Sequence, residues 1–165
     1  GSRSLTKETA MNDSLEIKIQ RLVDIEDIKQ LKARYASACD DDYNPDRLAP
    51  LFAEDAIWDG SILGYAEGRE GIREFFAASS QLVPFAVHQV SNPLIDIEGD
   101  TATGQWYLWQ PMIFQGKALW LSAVYDDRYV RQDGQWLYQH LKLHIRMLTP
   151  YEEGPAKCRI IEVPA

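Results

Sequence analysis

Histidine and cysteine are scarce in this chain: three and two, respectively, among 165 residues. The cysteines, Cys39 and Cys158, lie far apart and in no Cys-x-x-Cys or Cys/His grouping. That excludes a zinc finger or ribbon and a disulfide framework, and leaves two reduced thiols. Positive charge is also short, with 17 Lys and Arg against 25 Asp and Glu and a formal net charge of −8. Nucleic acid is therefore not an expected partner, because its binding rests on cations that neutralise phosphates. An anionic membrane surface is disfavoured for the same reason. No apolar run approaches the roughly eighteen residues of a spanning helix. The first fourteen residues, GSRSLTKETAMNDS, are polar and read as a disordered tag or tail rather than a leader. Gly-Ser has the look of a cloning scar, and a native start at or before Met11 is expected. The expected location is the cytoplasm. The acidic run Asp40–Asp42 has no further ligand at metal-binding spacing, so neither a metal nor another cofactor is expected.

Aromatic residues, by contrast, are plentiful at 11%, with five Trp and eight Tyr. Such side chains either fill a core or line a cavity for an apolar ligand. The length suits one domain with one core. Ile17, Val23, Ile28, Leu31 and Tyr35 recur at helical spacing, which predicts a first helix from a cap at Asp13 or Ser14 to about Cys39. Pro45 opens a short second helix, residues 54–61 read as a strand and turn, and GREGIREFFAASSQ (68–81) as a third helix with Ile72, Phe75 and Phe76 on one face. From Val83 four β-rich segments follow, separated by the turns EGD (98–100), QGK (115–117) and QDG (132–134). Helices followed by a strand meander predict an α+β domain over 15–150: a cone-shaped, curved, mostly antiparallel sheet wrapped over three N-terminal helices. Residues 151–165 are expected to form a short C-terminal extension. A sheet of this kind, open at one end, makes a pocket.

His88 stands in the first of the four segments, PFAVHQVSNPLIDI, which reads as one buried strand interrupted by Pro93. Period two puts Ala86, His88 and Val90 on one face, but both faces are largely apolar, so alternation does not say which is inside. On residue type alone His88 is either a satisfied core histidine or a base. A carboxylate beside it would fix its tautomer and stabilise the imidazolium. Asp40, at the end of the first helix, is a candidate, although Asp-rich helix ends are commonly solvated caps. Tyr35, five residues earlier, is turned roughly 140° from Asp40 about the helix axis, so the two share a pocket only where the sheet wraps broadly around the helix end.

The order of elements and three stretches, IQRLVDIEDIKQLKARYASACDDDY (19–43), TATGQWYL (101–108) and DGQWLYQHLKLHIRMLTP (133–150), resemble the SnoaL-like branch of the nuclear-transport-factor-2-like superfamily. Within it the chain is similar to scytalone dehydratases, bile-acid 7α-dehydratases and hexachlorocyclohexane dehydrochlorinases. The interval from Asp40 to His88 matches that branch, as does a Tyr five residues before the Asp, here Tyr35. The resemblance implies a cofactor-independent lyase. His88 is then the base, Asp40 its orienter, and Tyr35 an acid or carbonyl clamp. It also implies a homo-oligomer, a trimer before a dimer. There are departures. By alignment Met112 stands where scytalone dehydratase has a second pocket histidine, and Ala123 and Tyr125 replace a small polar pair. The pocket should accordingly be less polar, for a steroid- or polyketide-like hydroxy-carbonyl substrate. Tyr125, Trp58, Trp106, Trp109 and Met112 are the candidate pocket wall, the aromatic residues weighed against plain core or sheet packing. Arg146 is a candidate anion or carbonyl binder, unless His140, Lys142, His144 and Arg146 form a polar stripe facing water or a subunit; one residue of register decides between these. A ketosteroid-isomerase- or polyketide-cyclase-like isomerase and a non-catalytic ligand-binding module remain the alternatives.

Overall fold

The computed structural model describes residues 2–164. Among them the chain forms α1 (Ser2–Asp40), α2 (Pro45–Leu48), β1 (Phe52–Asp59), β2 (Tyr65–Glu67), α3 (Gly68–Leu82), β3 (Phe85–Ala86), β4 (Gln89–Glu98), β5 (Thr101–Phe114), β6 (Lys117–Gln132) and β7 (Gln135–Pro150). The strands make one seven-stranded sheet in the order β2-β1-β7-β6-β5-β3, with β4 also paired to β5. Only the β1–β7 pair is parallel. The sheet is open, and with the three helices it gives the α+β cone expected from the order of elements. No helix among the described residues is long and apolar enough to cross a membrane.

Strict alternation sets the inner face. On β5 Ala102, Trp106, Leu108, Gln110, Met112 and Phe114 are buried, and on β6 Leu119, Leu121, Ala123, Tyr125, Asp127 and Tyr129. Irregularities at Arg128/Tyr129 and Ser122/Ala123 add residues to β7 against β6 and bend the sheet around the helices. The first of them matters for β7. Trp136 and Tyr138 face inward, the extra residue Gln139 shifts the phase, and Leu141 and Leu143 then take the inner positions.

Two elements differ from expectation. The first helix runs from Ser2 rather than from a cap near Asp13, so the stretch read as a disordered tail is helical from Ser2 onward. Residues 6–23 are exposed, Ile17 and Val23 among them, and burial begins at Asp24. There the carboxylate accepts Arg131 Nη1 at 2.6 Å and Trp136 Nε1 at 3.2 Å, which ties the helix to the sheet. Second, the strand read through His88 is two strands, β3 and β4, with Val87 and His88 between them. The last residues turn back along β7: Leu148 bridges Ile160, and Ile161 donates to the Leu148 carbonyl at 2.9 Å.

Candidate active site

The gap between β3 and β4 has a cause on the facing strand. Ala86 pairs with Met112 and Gln89 with Trp109, so the register is continuous and puts Val87 across from Pro111 and His88 across from Gln110. Proline has no N–H to give to a ladder. Val87 donates to the Pro111 carbonyl at 3.1 Å and nothing returns. The next amide, that of His88, leaves the ladder and donates to Asp40 Oδ1 at 2.9 Å. The same oxygen lies 2.7 Å from His88 Nδ1. A carboxylate only accepts, so this contact favours the imidazole tautomer with the proton on Nδ1 and the lone pair on Nε2. The imidazole is almost sealed, with 4% of its side-chain surface exposed against 34% for Asp40. Asp40 and His88, 48 residues apart in sequence, are thus in contact.

Asp40 is the last residue of α1. Asp42 and Tyr43 then take positive φ angles of 52° and 50°, and the amides of Tyr43 and Asn44 return to the carbonyls of Cys39 and Ala38 at 3.0 and 3.1 Å. Asn44 caps α2 by accepting from the amides of Asp46 and Arg47. Asp41 is held outside by Asn44 and Arg47, which keep its carboxyl below the usual range. The run of three aspartates therefore divides: Asp40 serves the site and Asp41 the turn. The reversal carries Tyr43 inward, where its ring stacks on Phe76 at 5.9 Å and meets the His88 ring edge-on at 5.8 Å.

His88 opens on a cavity of about 130 Å³ in the mouth of the cone, walled by α3, the end of α1 and the inner face of the sheet. Tyr35, Trp58, Met112 and Tyr125 line it, as expected. Most of the remaining wall is apolar, from Phe75, Phe76, Leu82, Val83, Phe114 and Leu143. Trp58 fits because Gly60 has no side chain: a Cβ there would come within 2.3 Å of the indole. Tyr35 is not in hydrogen-bond contact with Asp40 or His88. Its hydroxyl accepts Trp58 Nε1 at 2.9 Å within an edge-on cluster with Phe52, Phe76, Tyr125 and Tyr138. Burial pushes the phenols of Tyr35, Tyr43 and Tyr125 well up, so all three remain O–H donors.

Three candidate residues are elsewhere. Trp109 is exposed on the outer row of β5, stacked on Trp120 at 5.2 Å. Trp106 is buried but does not line the cavity; it points inward deeper in the cone and donates from Nε1 to the Tyr129 hydroxyl at 2.9 Å. Arg146 is exposed on the outer side of β7, at the Ser122/Ala123 irregularity, together with exposed His144. Past the extra residue Gln139 the row divides: His144 and Arg146 are exposed, while His140 is half-buried with Nε2 sealed and without a hydrogen-bond partner among the described residues.

Three participants were not expected. Tyr43 gave no signal, since nothing in DDDYNP announces two successive left-handed residues. Gln110 did give one: it lies between Trp106 and Met112 on the period-two row of β5. It is 4% exposed, and its amide Nε2 reaches Tyr43 Oη at 3.5 Å and Met112 Sδ at 3.2 Å. The third is a buried ion pair beneath the floor. Lys32 Nζ meets Asp127 Oδ2 at 2.8 Å and stands 3.2 Å from the centroid of the Tyr125 ring. Burial lowers the Lys32 ammonium and raises the Asp127 carboxyl, each opposed by the other's charge.

Comparison with known proteins agrees with this architecture. A model of the SnoaL-like domain matches residues 20–142. The uncharacterized protein Rv2910c of Mycobacterium tuberculosis is 30% identical over 131 residues, which cover 77% of this chain and 88% of that protein. Among solved structures, a scytalone dehydratase-like protein from Novosphingobium aromaticivorans superimposes with a TM-score of 0.74 at 24% identity, covering 81% of this chain and 91% of that one. The hexachlorocyclohexane dehydrochlorinase LinA-type3 from Novosphingobium barchaimii does so with a TM-score of 0.73 at 22% identity, covering 90% and 99%. At these identities the two structures speak for the fold, while the domain match extends from within α1 into β7. The chain belongs to the SnoaL-like domain family.

Proposed function

We propose that the protein is a lyase that removes water from an apolar, steroid- or polyketide-like hydroxy-carbonyl compound by general base catalysis. The observation that carries this reading is the Asp40–His88 contact at the wall of an apolar cavity. His88 Nε2 takes a proton from the carbon next to the substrate carbonyl, and the C–H electron pair passes into an enolate. Asp40 holds the ring in the tautomer that leaves Nε2 free and stabilises the imidazolium once formed. The enolate re-forms the carbonyl as the bond to the β-hydroxyl breaks. The departing hydroxide takes a proton, from the imidazolium or through the Tyr35 hydroxyl, and leaves as water. A positioned base of this kind contributes about 10²–10⁴-fold. The cavity wall supports a neutral, apolar substrate, because no Lys, Arg, Asp or Glu side chain is among its lining residues. The names of the two structural neighbours fit elimination chemistry, of water in one and of hydrogen chloride in the other.

The test is a mass-spectrometric search for loss of water across hydroxysteroids and aromatic hydroxyketones, with wild type and His88→Ala in parallel. Turnover by the wild type and none by the variant is the expected result. An active His88→Ala protein overturns the mechanism, and a product of unchanged mass favours the isomerase. The outer sheet face carries exposed Tyr107, Trp109 and Tyr151, with Trp120 stacked between Trp109 and Tyr151. This supports self-association, with a trimer as the expected mass in light scattering and a monomer as the contrary outcome.

A further inference from the structure

One surface has no part in the cone or its site. Upstream of Asp24, where burial begins, α1 carries Met11, Leu15, Ile19, Leu22 and Val23, each between 45% and 67% exposed. At about 100° per residue these five fall within roughly 120° of arc on the helix surface. The row that docks on the sheet, Asp24, Ile28, Leu31 and Tyr35, is buried and lies on the opposite side, about 180° round the axis. Since α1 is one continuous helix from Ser2 to Asp40, its own sheet cannot reach round to cover the stripe. The stripe is about 18 Å long. It offers roughly 500 Å² of surface, and two such stripes face to face remove about 1,000 Å² from water, the lower bound of a specific interface.

The charges beside the stripe match a second copy of it. Eleven residues make three turns to within about 20°. Lys7, Lys18 and Lys29, spaced by eleven, line one flank of the stripe; Glu16 and Asp27, also eleven apart, line the other. All five are exposed, and none meets an opposite charge within the chain among the described residues. An apolar seam with one basic and one acidic flank is self-complementary in one orientation only. In a parallel pair with a twofold axis along the helices, each basic flank faces the partner's acidic flank. In an antiparallel pair like faces like. In register, Lys18 comes within two residues, about 3 Å along the axis, of the partner's Glu16, and Lys29 equally near the partner's Asp27. The folded bodies, on the far side of each helix, lie outside the pair and do not obstruct it.

We infer that two copies of the chain associate through α1, parallel and in register, with Leu15 against Leu15 and Leu22 against Leu22 across the twofold. The apolar seam supplies the attraction, and its small area makes the association weak. The charges set orientation rather than strength, because exposed ion pairs contribute little. This contact is separate from any made by the outer sheet face and independent of the catalytic reading.

Single cysteines read the register. Leu15→Cys and Leu22→Cys should each give a disulfide-linked dimer on mild oxidation, because a parallel, in-register seam brings the two copies of one position within disulfide reach. Asp13→Cys, on the sheet-facing side of the helix, should not, and the wild type with its own Cys39 and Cys158 gives the background. Sedimentation equilibrium reads the strength. The mass of the wild-type particle should rise between about 1 μM and 1 mM, and the double variant Leu15→Asp, Leu22→Asp should stay at the low-concentration value. Both side chains are exposed, so the far-ultraviolet dichroism of the variant should match wild type. A wild-type mass that stays flat, a rise that survives in the double variant, or no cross-link above background at either position overturns the inference. Loss of association in the double variant without a cross-link assigns the stripe to some other surface of the neighbouring copy, and that too overturns the pairing.

Discussion

The cone contains two pairs made of one carboxylate and one basic nitrogen, at nearly equal separations: Asp40–His88 at 2.7 Å and Lys32–Asp127 at 2.8 Å. They differ in what surrounds them. Asp40 is a third exposed and its histidine faces a cavity, so a proton can arrive and leave. Lys32 and Asp127 are 1% and 0% exposed, with Lys32 over the Tyr125 ring and Asp127 accepting the Tyr129 hydroxyl at 2.9 Å. Neither residue lines the cavity that His88 faces. Like geometry therefore leads to unlike work. The open pair is suited to moving protons, while the sealed pair holds the floor on which Tyr35 and Tyr125 stand. A short distance between an acid and a base is not by itself a catalytic sign; access is what separates the two.

Five substitutions and one titration sharpen that contrast. His88→Ala should lower kcat/KM by at least about a hundredfold and Asp40→Asn by a similar order, with the urea midpoint of each close to wild type. Retained activity in either sinks the open pair's role. Lys32→Met should do the reverse, lowering unfolding free energy by about 3–5 kcal/mol because Asp127 is left buried without its counter-charge. In the double variant Lys32→Met, Asp127→Leu much of that loss should return, and equilibrium urea denaturation measures both. A smaller effect is expected on the alkaline side. Tyr35, Tyr43, Tyr125, Tyr129 and Tyr138 all have phenols raised by burial above the ordinary value of 10.0. A raised folded-state value means that the stabilising difference is complete below the unfolded value and is lost as pH climbs past it, because only the unfolded chain ionises. The urea midpoint should accordingly fall above about pH 10, with phenolate absorbance appearing together with unfolding rather than before it. Least of all, Arg146→Ala should leave kcat/KM within about twofold, since its side chain lies outside the cone.

Much of the architecture was legible because periodicity and turn chemistry are local. β5 covers 101–114, as its apolar alternation and flanking turns indicate, and Gly99, Gly116 and Gly134 take the positive φ that their turns need. α3 starts at Gly68 as read. The Asp40–His88 contact was reachable only through family resemblance, because nothing local joins a helix end to a residue 48 positions on. Where reading failed, a non-local or irregular feature was responsible. Pro111 on β5 breaks the strand opposite it, which no inspection of PFAVHQV reveals. Trp106 has the right face but the wrong depth, since alternation fixes side and not distance along the cone. Lys32 and Asp127 were on inward-facing rows of α1 and β6 and were passed over, because a charge on an apolar row reads as an error in register until its partner is known.

One bond links the behaviour of the pocket rim to that of the base. Asp40 Oδ1 receives both the backbone and the ring of His88, so it acts as a clasp between the end of the first helix and the break in the sheet. Fraying of β3, a strand of two residues, would open the clasp and release the imidazole from its orientation in the same event. Heating should then silence the proposed activity before it melts the protein, with turnover fading while the far-ultraviolet dichroism of the seven-stranded body is still intact.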